Sequence, residues 1–460
     1  MNLIKNINAL VWGPPTLILI LAVGIWLTFR TGAVQLTLFP RAWKRFWGML
    51  KGDRHGSGGS SYRSLCTALG ATVGTGNLAG VAGAIALGGP GAIFWMWICG
   101  ILGMVTKFAE AVLAVRYRER LQGEYQGGPM YMIRKGLGKN WHWLAGLYCF
   151  FGVIAAFGVG NATQINALIG SAESVAAQFG GHLKITGKLT VGALLAILVG
   201  VLLLGGASRI GKAAEQLVPF ASVCYLLMGL AVLILRWDRI GGAFSQILQG
   251  AISPKAVTGG AVGSAFLALR IGTSRGVFTN EAGMGTAAIA HGGAHVKEPC
   301  DQGLMGIIEV FLDTIVICTM TALVILCSGI PIPYGIDTGV QLTQQAFAGV
   351  LGDWTGIVIA LALCCFALAT VLGWGLYGAR CAQYLLGEKA WKPFVLLQMV
   401  TIVIGAVLGT GTVWLLAETV NGLMAIPNLT ALILLSPEVI RLTKQYKSLL
   451  PREKVARRKP

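Results

Sequence analysis

Glycines alternate with small polar residues inside a long apolar stretch of this chain, in the run Gly70-Ala-Thr-Val-Gly-Thr-Gly-Asn77. Glycine costs a helix interior about 1 kcal/mol relative to alanine. Backbone that leaves the helix inside a bilayer must be buried in protein or line a polar cavity. The run therefore predicts a helix that unwinds around a binding site. Close packing of the glycines against a neighbouring helix is the simpler alternative.

An unwound helix offers two kinds of backbone group to a ligand. The N–H groups that begin its second half suit a carboxylate, because the N-terminus of a helix attracts anions. The carbonyl groups that end its first half suit a hard cation such as Na⁺. The candidates for the carboxylate are Thr75, Gly76, Asn77 and Leu78. The candidates for the cation run from Gly70 to Val73.

The elements that position these residues are membrane helices. Hydrophobic residues make up 55% of the chain and charged residues 12%, about half the charged share of a soluble protein. The mean hydropathy is +0.71, and the apolar blocks are long and continuous. An outer-membrane barrel would instead show alternation with a period of two. The composition predicts an all-α polytopic membrane protein.

Apolar stretches of about 20 residues predict eleven transmembrane helices. Their ranges are 13–29, 64–87, 91–115, 143–169, 189–205, 213–235, 256–275, 303–328, 353–378, 392–413 and 415–436. With the N-terminus outside, most of the 36 lysines and arginines fall on the side of the C-terminus, as the positive-inside rule requires. We therefore expect the N-terminus outside and the C-terminus in the cytoplasm.

The strong positive charge has a membrane explanation. The net charge of +18 arises from loops and a tail that anchor to anionic lipid. Nucleic-acid binding is disfavoured, because the aromatic residues that would interleave with the basic ones fall in membrane spans. The partner expected from composition is the lipid bilayer.

The ten spans after the first divide into two sets of five. This predicts an extra N-terminal span with a basic cytoplasmic loop (1–63), a first repeat (64–235), a second repeat (256–436) and a basic cytoplasmic tail (437–460). An odd number of helices per unit inverts the second unit, which is the plan of many secondary transporters. Each unit should then begin with a broken helix.

The second break is expected near Leu269–Thr273, where Gly263 and the run 270–276 interrupt the apolar span. Carbonyl groups released around Ile271 and Gly272 would accept hydrogen bonds from an ammonium group. The nearby Arg270 and Arg275 could form a gate or anchor the cytoplasmic end of the span.

Three segments carry a family resemblance. Residues 71–91, Glu124-Tyr-Gln-Gly-Gly-Pro-Met-Tyr131 and Arg275-Gly-Val-Phe-Thr-Asn-Glu-Ala-Gly-Met-Gly285 resemble the alanine/glycine:cation symporter family over nearly the whole chain. The first break, with Gly88-Gly-Pro-Gly-Ala92 after it, is similar to the leucine-transporter fold. The resemblance implies a 5+5 inverted repeat and uptake of alanine or glycine driven by Na⁺ or protons. It also implies a bacterial cytoplasmic (inner) membrane and no organic cofactor.

The same resemblance implies cation ligands from a second helix. By analogy with the leucine-transporter fold, Ala367 and Thr370 would complete a Na⁺ site with Gly70 and Val73 through a carbonyl and a hydroxyl group. The alternative for Thr370 is a hydrogen bond to its own helix.

Two further spans contribute candidate substrate contacts. Trp374 lies one turn beyond Thr370 on the same face, where its ring would close a small cavity or serve as an ordinary packing residue. Gln164 is the candidate polar contact from the fourth span, ahead of Asn161. Either amide could instead join two helices.

Charged residues inside the spans leave several interpretations open. Lys107 and Glu110 are three residues apart and can pair on one helix face. Glu309 and Asp313 share a face and could relay protons or simply pair within the protein.

Na⁺-coupled symport of a small neutral amino acid is the leading hypothesis for function. Proton-coupled symport is the alternative, and an ion channel or receptor without a transport cycle is a rival of a different class. No catalytic Ser/His/Asp or Cys/His set occurs, and the Gly-x-x-x-x-Gly-Lys run at 206–212 continues with Ala213 where a phosphate-binding loop has Ser or Thr, so an enzyme is not predicted.

Overall fold

The computed structural model describes residues 2–52, 58–121, 123–178, 180–260, 264–336, 339–408 and 410–456. Gly263 and parts of both basic cytoplasmic segments, 53–57 and 457–460, lie outside the described residues. The described chain is almost entirely helical, as predicted. Its strands form one antiparallel pair, β1 (Glu119–Leu121) with β2 (Glu124–Gln126).

The helices follow the order expected from the apolar blocks. The N-terminal part holds α1 (Asn2–Val11), α2 (Pro14–Thr31), α3 (Val34–Thr37) and α4 (Phe39–Leu50). The first unit holds α5 (Gly58–Thr72), α6 (Val81–Gly88), α7 (Gly91–Tyr117), α8 (Pro129–Met132), α9 (His142–Phe157), α10 (Thr163–Gln178), α11 (Ile185–Leu204) and α12 (Gly206–Leu235). Two connecting helices follow, α13 (Trp237–Ile252) and α14 (Pro254–Thr258).

The second unit completes the bundle. It holds α15 (Ala265–Asn280), α16 (Thr286–Gly292), α17 (Pro299–Val310), α18 (Thr319–Ser328), α19 (Val340–Leu351), α20 (Thr355–Leu386), α21 (Trp391–Val407) and α22 (Thr410–Ala456). Wider π-helical turns lie at Gly76–Gly80, Ile133–Leu137, Gly158–Ala162 and Phe311–Cys318, and 3₁₀ turns at Lys139–Trp141 and Glu388–Ala390.

Nine helical segments of the described residues are long and apolar enough to cross a membrane, and a bent pair makes a tenth. The pair is α5 with the helical segment Gly76–Gly88, which meet at 50°. The stretch predicted as the seventh span, 256–275, overlaps α15, which has 16 residues and is too short alone. The order of a broken helix followed by four spans recurs in both units. The count of eleven spans and the inverted symmetry stay predictions.

Helix α7 lies at the centre of the bundle. It packs against α15, α16 and α17 from the second unit and against α2 from the N-terminal part. Glycine allows the closest approaches: a Cβ atom at Gly91 would overlap the backbone of Gly250. Small residues at such contacts let helix backbones pack closely in a membrane. The two broken helices lie side by side, because α15 packs directly against α6 and against Gly76–Gly80.

Candidate functional site

The first break lies where the sequence predicts it. Helix α5 ends at Thr72, and the chain resumes helical geometry at Gly76–Gly80. The amide of Gly74 donates to Asn77 Oδ1 over 2.8 Å instead of to a helical carbonyl. A Cβ atom at Gly74 would come within 2.7 Å of Thr370 Oγ1. The two interpretations of these glycines, unwinding and close packing, therefore both apply at Gly74.

Two of the predicted cation ligands meet beside this break. Thr370 Oγ1 on α20 donates to the carbonyl of Gly70 over 2.9 Å. It also lies 3.0 Å from the carbonyl of Phe366 in its own helix. The hydroxyl of Thr370 can donate its hydrogen to either carbonyl. When it donates to Phe366, the Thr370 oxygen and the Gly70 carbonyl oxygen both have lone pairs available for a ligand beside the break. Ala367 and Val73 are both fully buried about one turn from these two residues.

Asn77 and Leu78 face other parts of the protein. The Asn77 side-chain amide donates to Asp313 Oδ1 over 2.7 Å, which ties the first break to the π-helical turn after α17. The Leu78 carbonyl accepts from Thr343 Oγ1 over 3.1 Å. Neither residue lines the central cavity described below. Their assignment to the substrate stays a prediction.

The second break lies later in the chain than the sequence analysis expects. Helix α15 is continuous across Ile271 and Gly272 and ends at Asn280. The backbone leaves the helix at Glu281, Gly283 and Gly285, whose φ angles are +53°, +94° and +76°. The prediction of unwinding at 269–273 is therefore wrong.

Close packing explains the misplaced prediction. A Cβ atom at Gly272 would overlap the carbonyl of Ala92 and come within 2.8 Å of Trp95 Cβ. This glycine serves helix packing against α7. Ile271 packs against the end of α6, since its Cβ atom would lie 3.0 Å from a Cβ atom at Gly88. Neither Ile271 nor Gly272 lines the central cavity.

A carboxylate from α7 stabilises the second break. Glu110 Oε1 accepts hydrogen bonds from the amides of Gly283 (2.9 Å) and Gly285 (3.1 Å) and from Asn428 Nδ2 (2.7 Å). These amides lack helical partners, and buried donors need acceptors. The predicted pair of Glu110 with Lys107 is therefore replaced by a different arrangement. Lys107 Nζ lies 3.1 Å from Glu309 Oε1, and both side chains are fully buried.

The Glu309 carboxylate continues this buried network. Its Oε2 lies 2.8 Å from His291 Nε2, and His291 Nδ1 lies 2.7 Å from Gln302 Nε2. Gln302 Oε1 accepts from Ser61 Oγ over 2.6 Å. Glu309 is therefore paired within the protein, which was the alternative to a proton relay. The described network links α7, α16 and α17 to the start of α5.

A small cavity lies between the two breaks. Its volume is about 10 Å³, roughly the space that one water molecule requires. It is lined by Ala71, Thr72, Gly74, Thr75, Gly76, Val159, Gln164, Phe278, Glu281, Thr370 and Trp374. Even the smallest amino acids need several times this space, so binding one requires the lining side chains to move apart.

The cavity brings together five of the predicted residues. Thr75 Oγ1 donates to Gln164 Oε1 over 3.1 Å. Trp374 closes another wall, and its Nε1 donates to Glu281 Oε1 over 2.9 Å. Gly76 and Thr370 complete this set. Glu281 also lines the cavity and was not among the predicted residues, although the two glycines that follow it in Glu281–Gly285 are a signal for a break there.

The π-helical turn Gly158–Ala162 positions Gln164. The turn frees the carbonyl of Val159, which accepts from Gln164 Nε2 over 3.1 Å. Asn161 instead donates to the carbonyl of Gln398 on α21 over 3.0 Å. It is therefore a contact between helices, as its alternative interpretation holds. Gly160 leaves room for the ring of Trp374, which a Cβ atom there would overlap.

Two larger cavities approach the centre from opposite faces of the bundle. One of about 360 Å³ includes Ser60, Arg63 and Arg380. The other, of about 160 Å³, includes Trp12 and Arg275. The second broken helix runs from one to the other: Arg270 and Ile271 of α15 line the smaller cavity, and Ile289 and Ala290 of α16 line the larger one.

Ion pairs lie at both larger cavities. Arg380 Nη2 lies 2.6 Å from Glu124 Oε2 at the larger one, and Arg275 Nη1 lies 3.2 Å from Glu418 Oε1 at the smaller one. Arg270 and Arg275 thus share a face with the start of α2. The predicted topology places the N-terminus outside but Arg275 at the cytoplasmic end of the seventh span, and the position of both arginines beside Trp12 is incompatible with holding both expectations.

The two larger cavities form a vestibule on each face of the bundle. Two broken helices around a polar cavity, with these two vestibules, define a membrane transporter. The model of the sodium:alanine symporter family matches residues 1–459, and the chain belongs to this family. It is 42% identical over 460 residues to "Sodium/alanine symporter AgcS" of Methanococcus maripaludis, covering 98% of each chain. It is also 42% identical over 450 residues to an uncharacterized transporter of Haemophilus influenzae, covering 97% of this chain and 96% of the relative.

The fold has a solved counterpart. The crystal structure of MhsT in complex with L-phenylalanine matches with a TM-score of 0.59 at 17% identity, covering 83% of this chain and 97% of that chain. MhsT has the leucine-transporter fold, so the predicted family and fold class are both confirmed. The protein is a multi-pass membrane transporter and not an enzyme, and the channel or receptor hypothesis is set aside.

Proposed function

We propose that this protein is a Na⁺-coupled symporter that carries alanine or glycine into the cell by alternating access. The observation that carries the proposal is the meeting of Gly70 and Thr370 oxygens with the unwound backbone at Gly74–Gly76 beside one cavity. The relative named as a sodium/alanine symporter, 42% identical over nearly the full length, supports the choice of substrate and ion.

The cation would bind on the first-half side of the break. Carbonyl oxygens of Gly70, Val73 and Ala367 and the hydroxyl oxygen of Thr370 are neutral oxygen donors of the kind that a hard cation takes. Without a protein carboxylate among them, the substrate carboxylate would supply the negative charge. A Na⁺ ion and an amino acid that share this charge would bind more tightly together than separately, which is the basis of coupling.

The substrate carboxylate would bind on the second-half side. The backbone N–H groups around Thr75 and Gly76 begin a new helical segment, and a helix N-terminus favours an anion. The Thr75 hydroxyl and the Gln164 amide would add polar contacts. Phe278 and Trp374 border the same cavity and leave space for a small side chain only.

Orientation follows from charge. The face with Arg63 and Arg380 also carries the basic loop before α5, so we place it in the cytoplasm under the positive-inside rule. The N-terminus is then outside and the tail after α22 is cytoplasmic, in the inner membrane of a bacterium. The larger vestibule opens toward the cytoplasm in this orientation.

Uptake of radiolabelled alanine and glycine into proteoliposomes tests the proposal. We expect uptake under an inward Na⁺ gradient and none under an equal K⁺ gradient. Uptake driven by a proton gradient without Na⁺ would favour proton coupling, for which the buried Lys107–Glu309–His291 network is the candidate pathway. Uptake that ignores every cation gradient would refute coupling.

The variant Thr370→Val tests the cation site. It removes one oxygen ligand at constant volume, and we expect the Na⁺ concentration for half-maximal uptake to rise about tenfold, the effect of losing about 1.4 kcal/mol. Thr401→Val is the matched control, because Thr401 is partly exposed and its described hydrogen bond stays within its own helix, to Leu397 O over 2.9 Å. Equal Na⁺ dependence of both variants would remove Thr370 from the site.

A further inference from the structure

Glu281 is a buried acid beside the proposed substrate, and neither the unwound first break nor the Na⁺ ligands use it. We infer that Glu281 is the fixed countercharge for the ammonium group of the substrate, which makes a protonated amine a requirement for binding. This inference rests on the proposed function, since it assigns a partner to the second charged group of an amino acid.

The position of Glu281 fits a ligand contact. Its side chain lines the central cavity, and the residue is 3% exposed. It is the one charged residue among the described residues that line this cavity. The ammonium of an amino acid held by its carboxylate at the first break would therefore meet one acidic group within the cavity.

The backbone of Glu281 is held in an unfavourable conformation. Its φ angle is +53°, and the other described non-glycine residue with positive φ is Ala33, in the turn after α2. A left-handed conformation is costly for a residue with a Cβ atom, and such strain concentrates at functional sites. At positions 283 and 285 the residue is glycine, which adopts positive φ without strain, whereas position 281 keeps a glutamate despite the strain.

The Glu281 carboxylate has room for another donor. Its Oε1 accepts from Trp374 Nε1 over 2.9 Å, and its Oε2 accepts from Thr286 Oγ1 over 2.6 Å. A carboxylate has about four acceptor positions, so these two donors orient the group and leave about half of its capacity. An ammonium can use that remainder.

Charge balance favours the same assignment. A carboxylate buried in a membrane protein is costly unless an opposite charge compensates it. The described ammonium that interacts electrostatically with Glu281, Lys107, is engaged by Glu309 over 3.1 Å. A substrate ammonium at Glu281 would leave the loaded site neutral: Na⁺ balances the substrate carboxylate, and Glu281 balances the ammonium.

Competition binding separates this role from a purely structural one. Purified protein is tested with labelled alanine against unlabelled alanine and L-lactate, which replaces the ammonium with a hydroxyl. We expect wild-type protein to bind alanine and to bind lactate at least a hundredfold more weakly. In Glu281→Gln, which keeps an oxygen for Trp374, alanine affinity should fall by about tenfold to a hundredfold while lactate affinity stays the same or rises.

Two variants serve as controls. Trp374→Phe removes the indole N–H and leaves the charge of Glu281, so its alanine-to-lactate ratio should stay closer to wild type than that of Glu281→Gln. Glu173→Gln makes the same chemical change on α10, where Glu173 pairs with Lys188 at the protein edge over 2.6 Å, and should leave the ratio unchanged. If Glu281 only positioned Trp374, the two site variants would lose alanine and lactate binding in equal proportion.

The outcomes distinguish the inference from the proposed function. Wild-type protein that binds no alanine contradicts the proposed function. Wild-type protein that binds alanine, with an unchanged alanine-to-lactate ratio in Glu281→Gln, overturns the inference alone. If Glu281→Gln does not fold, Glu281→Asp replaces it, because aspartate tolerates positive φ better than glutamate. Its shorter side chain withdraws the charge, and the same fall in the ratio is expected.

Discussion

Replacing Glu110 with alanine should destabilise the second break. Glu110 Oε1 accepts from the amides of Gly283 (2.9 Å) and Gly285 (3.1 Å) and from Asn428 (2.7 Å). In the variant, the Asn428 side-chain amide keeps its hydrogen bond to the carbonyl of Gly283 at 2.8 Å, so Asn428 loses only one of its two hydrogen bonds. The two backbone amides have no other acceptor among the described hydrogen bonds.

The magnitude follows from those two amides. A buried donor that loses its acceptor costs about 1–3 kcal/mol, so Glu110→Ala should cost about 2–6 kcal/mol. Water entering the space left by the side chain would bring the loss toward the lower value. Glu110→Gln keeps an acceptor oxygen and loses only the charge, so its cost should be about 1 kcal/mol.

Thermal denaturation in detergent, read as the fraction of monodisperse protein after heating, measures the order of stability. We expect wild-type protein to be the most stable, Glu110→Gln to be less stable and Glu110→Ala to be the least stable. Alanine uptake should fall in the same order, because the second break borders the cavity. Glu119→Ala is the control. This carboxylate pairs with Arg134 and Lys135 in the β1–β2 region, and partly exposed pairs contribute about 0–1 kcal/mol. Wild-type stability and uptake in Glu110→Ala would refute the role assigned to Glu110.

Two further predictions concern the cavity and its outer face. Gly160→Ala should displace the Trp374 ring, which a Cβ atom there would overlap, and should reduce alanine uptake more than tenfold. The control variant Gly146→Ala on α9 has nothing within 4 Å of its new Cβ atom and should transport normally. Equal uptake by the two variants would contradict the packing of Gly160 against Trp374. Arg275→Gln and Glu418→Gln should each change the uptake rate by up to about fivefold, since a partly exposed ion pair is worth about 1 kcal/mol or less. The charge-exchanged double variant should recover most of that rate, and a double variant no better than the single ones would argue against a gate.

The first break could be predicted because its signal is local. Three glycines and three polar residues within Gly70–Asn77 interrupt an apolar span, and this combination favours an unwound helix over close packing alone. Thr75, Gly76, Gln164 and Trp374 were predicted as substrate contacts, and all four line the central cavity. Their assignment to the substrate stays a prediction.

The second break could not be placed in the same way. Gly272 and Gly283 look alike in sequence, yet one packs a continuous helix against Ala92 and the other lies at φ +94°. Only the neighbouring helix distinguishes a glycine that permits close approach from one that permits a left-handed backbone. The partners of Lys107 and Glu110 were mispredicted for a related reason. Contacts across helices replaced the pairing within α7 that the spacing suggested.

The narrow centre of the bundle has an electrical consequence. Vestibules of about 360 and 160 Å³ approach it from the two faces, while the cavity between them measures about 10 Å³. Because water conducts and packed protein insulates, most of the membrane voltage would fall across the few residues around the two breaks. An elementary charge crossing the whole membrane gains about 2.3 kcal/mol per 100 mV. A cation that reaches Gly70 and Thr370 from either vestibule has already crossed part of that voltage, so its binding step should itself carry current.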